Sequence, residues 1–383
     1  MGADADAAGA DAGRNGVKRR LAGGALLCAA AIAAVAPVQA VAPPIRIETS
    51  APHMGTLVRI TLYADAREAG EAAAAAAFAR IAEIDARLSD YRDDSEVAAL
   101  SRAAAQVVVP ISRDLCAVLT ASQSLARRSG GADVTHGQPA GAAFDVTHGR
   151  LTHLWRRARR LNLPPDATAV STARAGGGYT HVRLDQLRCT VQFDRPGIEI
   201  DAGGIAKGYA ADEALKVVRA HGIRAALVAI AGDIAAGDPP PGQAGWRIAI
   251  PRLGSDEPHW IAIANAAVST SGDAEQWMTV DGVRFSHVID LRTGWPVTGR
   301  SSVSVAAARG IDADALSTTL DIVDADAGAR LLEAYRGPDG PRRLAAQALW
   351  QRVDGAGRVA THHSLHWPAI DRPASAITLR GTP

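Results

Sequence analysis

The stretch "GIEIDAGGIAKGYAADEALKVVRAHG", residues 197–222, decides how the rest of the chain is read. Ile198 to Ile200 is a short apolar run of the kind that forms a buried strand. Asp201 and then Gly203 and Gly204 follow it. The periodic segment beyond predicts a helix from about Gly204, closed by Gly222 just past its C-terminus. Unpaired N–H groups and a partial positive charge at such a helix start can cradle an anion, and glycines let it approach closely. The spacing is not that of a nucleotide P-loop, because Gly-Lys-Ser/Thr does not occur here. It is not the dinucleotide fingerprint either, since Gly203-Gly204-x-x-x-Gly208 departs from G-x-G-x-x-G. The pattern leaves two readings open: a phosphate cradle, and tight helix–strand packing by small residues.

Lys207 lies inside this turn, and the only other lysines are Lys18 and Lys216. In a chain that otherwise uses arginine, a lysine here suggests a space that fits a compact ammonium and not a planar guanidinium. The net charge of +1 gives no bulk attraction to nucleic acid or to an anionic membrane surface. A length of 383 residues with 48% hydrophobic content permits one large domain or two smaller ones.

Residues 1–40 read as an export segment. Lys18, Arg19 and Arg20 precede an apolar run, Leu21 to Val35, that is short for a membrane span, and Val38-Gln39-Ala40 resembles a cleavage site. These features predict a periplasmic protein. The paired arginines leave twin-arginine export open. Cys28 is a lipidation candidate behind a bulky Leu27, which makes an inner-membrane lipoprotein the alternative. Cys116 and Cys189 remain after cleavage; their separation of 73 residues does not by itself establish a bridge.

Residues 41–52 read as a proline-containing linker. Leu57 to Tyr63 alternates as a strand, and Asp65 to Leu88 as a long alanine-rich helix with Phe78, Ile81 and Leu88 on one side. Ser112 is placed to cap a helix carrying Leu115, Val118, Leu119 and Leu125. Ala225–Ile230, Trp246–Ile250, Trp260–Ala264 and Ser302–Ala306 read as strands, and Thr279 to Val283 as a hairpin around Asp281-Gly282. Hairpins mixed with crossovers favour an α+β domain over a doubly wound parallel sheet. The domain is expected over 53–336, with a tail at 337–383 holding a hairpin near Val353 to Arg358. The pentapeptide Asp-Val-Thr-His-Gly occurs at Asp133 and again at Asp145, read as a local duplication and not as a repeat architecture.

Several further groups carry chemical potential. In "GIDADALSTTLDI", residues 310–322, Asp314 and Thr318 share a helix face. A carboxylate beside a hydroxyl suits a hard cation such as Mg²⁺, while an acid near a helix start also serves as a cap. In residues 267–296, Ser269, Thr270, Ser271 and Gly272 make a polar turn, and Ser286-His287-Val288-Ile289-Asp290 follows on a strand. A strand histidine is commonly structural, yet a strand end with Asp290, Thr293 and Gly294 is also where general bases sit. His362-His363-x-x-His366 lacks an acidic neighbour at ligand spacing and reads as surface.

The ordered set "HMGTLVRITLY", "LSDYRDDSEVAAL", "AFDVTHGRLTHLW", "EIDAGGIAKGYAAD", "VAIAGDI", "WRIAIPR", "VSTSGD", "SHVIDLRTGWPV" and "DADALSTTL" resembles the FAD:protein FMN transferases, the ApbE family, across about residues 53–325. The resemblance implies a single T-fold-like α+β domain with antiparallel-rich sheets. It implies Mg²⁺-dependent cleavage of FAD, transfer of FMN to a threonine hydroxyl of a target protein and release of AMP. Implied acceptors are threonine-bearing subunits of exported or membrane redox complexes. Asp314 and Thr318 fall on the family's metal ligands, with a backbone carbonyl near Gly204 completing the set. His287 falls on its conserved histidine, expected to take or orient the threonine proton. Met54, Tyr91, Asp145, Lys207, Thr270, Ser271, Asp273 and Asp290 fall where it lines its FAD pocket. Two departures stand out: Ser101 replaces a common asparagine near the metal–diphosphate region, and Leu291 replaces a proline after "VID". The rival expectations are an FAD pyrophosphatase yielding FMN and AMP, and a non-enzymatic exported FAD-binding protein.

Overall fold

Strand Ala226–Ile230, with all of its residues buried, explains the architecture. Ala226, Val228 and Ile230 face one hydrophobic cluster, and Leu227 and Ala229 face another. A strand covered on both faces needs a continuous apolar run, which the sequence supplies here. The computed structural model describes residues 42–131, 141–273, 276–335, 346–364 and 366–370. The segment read as an export signal, with Cys28, and the Asp133 copy of the pentapeptide lie outside the described residues.

In chain order the strands are β1 (Ile45–His53), β2 (Thr56–Ala64), β3 (Val108–Pro110), β4 (Val182–Asp185), β5 (Thr190–Phe193), β6 (Ala226–Ile230), β7 (Asp233–Ala236), β8 (Trp246–Ile250), β9 (His259–Ile263), β10 (Ala266–Gly272), β11 (Trp277–Val280), β12 (Val283–Asp290), β13 (Trp295–Thr298), β14 (Ser301–Ala307), β15 (Gln347–Val353), β16 (Val359–His363) and β17 (Ala369–Ile370). The helices are α1 (Arg67–Leu88), α2 (Glu96–Ser101), α3 (Arg113–Gly131), α4 (Gly149–Leu161), α5 (Ala167–Ala175), α6 (Ala206–Ala220), α7 (Gly310–Ile322) and α8 (Ala325–Ala334).

Among the described residues, eight strands form one sheet in the order β1-β2-β6-β7-β10-β14-β15-β16. Its pairings are antiparallel throughout. Helices α1, α6 and α7 cover one face, and the small sheet β17-β9-β8 covers the other. The fold is α+β, as expected. Ile60, Val228 and Val305 are fully buried under the helices. Each such side chain contributes about 1.5–3 kcal/mol relative to exposure. A third cluster joins Leu151, Trp155 and Ala158 of α4 to Val170 of α5, Met278 of β11 and Ile289 of β12.

Three expectations are corrected. The segment read as a linker contains β1, which pairs with β2 from Ile45↔Ala64 to His53↔Thr56. Only Ile47 of β1 is buried, so an edge strand with one solvated face left little apolar signal, and Pro52 is tolerated at an edge. The tail is no appendage: β15 pairs with β14 and adds Ala348 and Trp350 to the main core. Ile198 and Ile200 are buried, but Glu199 makes only an isolated parallel bridge with His148 and not a sheet strand. Other expectations hold. Ser112 Oγ accepts from Leu115 N at 3.1 Å at the start of α3. Gly222 follows α6 with φ +84°. Asp281 and Gly282 have φ of 50° and 78°, the left-handed pair of a tight hairpin. Cys116 and Cys189, whose pairing the sequence left open, form a disulfide with Cα atoms 5.5 Å apart.

Candidate functional site

Helices α6 and α7 cross backbone against backbone. A Cβ on Gly208 would lie 2.1 Å from Gly310 O, and one on Gly310 would lie 2.4 Å from Gly208 O. Both glycines are therefore obligatory at this crossing. Asp212, one turn further along α6, accepts from Gly310 N at 2.7 Å and Ile311 N at 3.1 Å and so caps α7. Burial pushes Asp212 up to about 6.

This crossing fixes the floor of the site. Gly208 N donates to Asp314 Oδ2 at 2.9 Å. Lys207 Nζ lies 2.6 Å from Asp233 Oδ2 and 3.8 Å from Asp314 Oδ2. Ser269 Oγ donates to Asp233 Oδ1 at 2.5 Å and sits 3.0 Å from Ser317 Oγ. Burial opposes the Lys207 charge, yet Asp233 and Asp314 outweigh it and hold the ammonium above the ordinary lysine range. Burial and then the Asp233 carboxylate push Asp314 up to about 7. Asp233 and Asp314 are the protein anions beside Lys207.

Gly204 sits against this floor. A Cβ there would lie 3.2 Å from Thr318 Oγ1 and 3.4 Å from Phe144 Cε2, so a side chain would crowd the notch that the glycine leaves beside Thr318. Thr318 is half-buried, one turn beyond Asp314 on α7. A carboxylate, a hydroxyl and a backbone carbonyl are all hard oxygen donors, and this set fits Mg²⁺, which keeps positions for phosphate oxygens and water. His362 and His363 are exposed on β16.

One wall is built by α4 and β12. Trp155 of α4 stacks on Phe285 of β12 at 6.2 Å and donates from Nε1 to Gly294 O at 2.8 Å. His287 lies two residues further along β12. Its Nδ1 is buried with no hydrogen-bond partner among the described residues. Burial, then the Arg159 and Lys207 charges, push the imidazole down to about 4, so it is neutral at neutral pH. Tyr91 is 75% exposed and holds the Arg156 guanidinium 4.3 Å from its ring centroid. Arg156 Nη2 donates to Asp201 Oδ2 at 2.9 Å, and Asp201 Oδ1 accepts from Gly203 N at 2.7 Å. This chain of contacts ties Tyr91 to the glycine turn. Ser101 Oγ accepts from Ile200 N at 3.0 Å and so fastens α2 to the same segment.

The other predicted site residues are held by contacts within the protein. Asp145 is buried; it accepts from Thr147 N at 3.0 Å, Thr147 Oγ1 at 2.7 Å and Tyr179 N at 2.7 Å. Asp273 is fully buried, accepting from Ser301 N at 3.0 Å and from Arg284 Nε. These two carboxylates carry protein hydrogen bonds. Asp290 accepts from Arg292 N at 3.0 Å and Arg292 Nη2 at 3.0 Å, holding the β12–β13 turn. Met54 occupies the β1–β2 turn with φ 52°, its N donating to Asp85 Oδ2 at 3.1 Å. Thr270 Oγ1 pairs with Ser304 Oγ at 2.8 Å, and Ser271 is half-buried beside it on β10. Asp233 was not singled out from sequence. Its signal was an acid closing the apolar run "VAIAGD", a place where a buried charge needs a partner. Arg156 and Arg159 were hidden in an arginine-rich helix.

Residues 54–339 match the model of the ApbE family. A FAD:protein FMN transferase of Treponema pallidum is 33% identical over 305 residues, covering 75% of this chain and 81% of the relative. One from Vibrio cholerae is 29% identical over 303 residues, covering 77% and 87%. The solved flavin transferase ApbE of Vibrio cholerae superposes with a TM-score of 0.72 at 26% identity, covering 84% of this chain and 98% of its own. The apo flavinyl transferase ApbE of Pseudomonas stutzeri gives 0.70 at 26% identity, covering 85% and 96%. With this match over most of its length, the chain belongs to the ApbE family.

Proposed function

We propose that this protein moves FMN from FAD to a threonine hydroxyl of an acceptor protein, with Mg²⁺ bound and AMP released. The observation that carries the reading is the convergence of Gly204, Lys207, Asp233, Asp314 and Thr318 on one floor. The homologues' names supply the reaction class. Asp314, Thr318 and the Gly204 carbonyl would hold Mg²⁺, which supplies charge neutralisation at phosphate oxygens.

The chain's own groups divide the remaining work. Lys207 holds Asp233 and Asp314 together, sparing the floor the repulsion of two buried carboxylates. Neutral His287 accepts the threonine proton as the hydroxyl oxygen bonds to the FMN phosphorus. The phosphorus–oxygen bond to AMP breaks, and AMP leaves with the electron pair. Arg156 and Tyr91 shape the rim and hold the glycine turn. The acceptor is a threonine-bearing subunit of an exported or membrane redox complex, met in the periplasm. The basic–apolar N-terminal segment supports export, and the Cys116–Cys189 bridge is the kind of bond that persists in an oxidising compartment.

The test is incubation of the mature chain with FAD, MgCl₂ and a threonine-bearing acceptor domain. In-gel flavin fluorescence on the acceptor, lost when its threonine is changed to alanine, is the expected result. Free FMN and AMP without acceptor labelling would make the protein a pyrophosphatase. No turnover and no labelling would overturn the enzyme reading.

A further inference from the structure

We infer that Arg159 receives the diphosphate of the dinucleotide substrate, binding it from the α4 side of the site opposite the Lys207–Asp314 floor. The inference deepens the transferase reading and rests on it. The other basic groups at the site are already committed. Lys207 is held by Asp233 and Asp314, and Arg156 Nη2 by Asp201. The Arg159 guanidinium makes no hydrogen bond or ion pair among the described residues, although the residue is half-buried. Burial and then the Arg156 charge work against its own charge. The Asp201 carboxylate offsets this only in part, and a half-buried cation with no ion-pair partner of its own is costly, a cost that an incoming anion relieves.

Position points the same way. Trp155 lies one helical turn before Arg159 and stacks on Phe285, which lies two residues before His287. Arg159 is also the largest charged influence on His287. A role at the α4 C-terminus explains Arg160, which is exposed, better than Arg159, which is drawn inward. The α4 end is already capped by Asn162 N donating to Ala158 O and Arg159 O.

Charge bookkeeping fits. With Asp314 ionised, Asp233, Asp314 and Lys207 sum to one negative charge. A divalent ion turns that positive, and a diphosphate carrying two negative charges turns it negative again. The Arg159 guanidinium brings the assembled site to neutrality, and its planar fork suits phosphate oxygens.

The test measures FAD and ADP binding, by flavin fluorescence and calorimetry, for wild type, Arg159→Ala, Arg159→Lys and the exposed neighbour Arg157→Ala. Each is measured in MgCl₂ and in EDTA, over a NaCl series. Arg159→Ala is expected to weaken both ligands by about tenfold to a hundredfold and to flatten the salt dependence. Arg159→Lys should recover part of the loss, and Arg157→Ala should stay within about twofold of wild type. A flattened salt slope separates charge pairing from a merely structural role, and Arg159→Lys keeps the test open should the alanine variant unfold. Wild-type affinity and an unchanged salt slope in Arg159→Ala would overturn the inference alone. A wild type that binds FAD in neither buffer would overturn the transferase reading and the inference with it.

Discussion

The backbone N–H of Gly208 donates to Asp314 Oδ2 at 2.9 Å, joining the glycine turn of α6 to the acidic helix α7. The two motifs lie 106 residues apart in sequence and meet at one point. Gly208 therefore has two duties: it admits the Gly310 backbone, and it orients a buried carboxylate.

The first duty predicts a steric penalty. A Cβ at Gly208 meets backbone at 2.1 Å, which no rotamer change relieves. Gly208→Ala should lower stability by about 1–3 kcal/mol in denaturant melts and reduce transfer by shifting Asp314. An unchanged melt would show that α6 and α7 separate without cost.

His287 predicts a pH signature. Its folded value of about 4 lies below the ordinary 6.5, so the unfolded chain binds more protons between them. Stability from this group is whole above about pH 6.5 and falls as pH drops toward 4, by about 3–4 kcal/mol in total. His287→Gln should flatten that dependence and slow transfer about 10²–10⁴-fold. Denaturant melts of wild type and His287→Gln across about pH 4–8 check this, and identical pH dependences would mean an unperturbed imidazole.

Asp321 predicts a stabilising change. Both its carboxylate oxygens are buried without a hydrogen-bond partner among the described residues, and burial pushes its carboxyl up to about 6. The folded state binds the extra proton, so stability falls as pH rises from about 4 through 6. Asp321→Asn should raise stability at pH 8 by about 1–3 kcal/mol and lose that advantage at pH 4. Paired melts at the two pH values check this.

Much of the fold was legible from periodicity, because the central strands and helices bury whole faces. Strand β6 reads as continuous apolar residues, since both of its faces are covered. Strand β1 was missed because a solvated edge leaves only Ile47 buried. At the site, Asp314 and Thr318 were legible as residue types suited to a cation, Gly204 entered only through the family resemblance, and the structure sets Gly204 beside Thr318. Local pattern posed phosphate cradle against packing as alternatives; Gly208 serves packing, while Gly204 borders the floor. Asp233 and Arg159 depend on long-range placement that no local spacing encodes.

The Cys116–Cys189 bridge links α3 to the β4–β5 turn across a separation of 73 residues. Cys116→Ser should lower stability by about 2–4 kcal/mol. Thiol titration of the unfolded, unreduced mature chain should find no free thiol from this pair. Two titratable thiols in protein taken from its native compartment would contradict the bridge.

The central claim is that the Asp314 carboxylate, set by Gly208, carries the chemistry. The most direct test is intact-mass analysis of an acceptor domain after incubation with FAD, MgCl₂ and either wild type or Asp314→Ala. Wild type should add one FMN in ester linkage to the threonine, and the folded variant should label at least about 10²–10³-fold more slowly. Full labelling by Asp314→Ala would contradict the account.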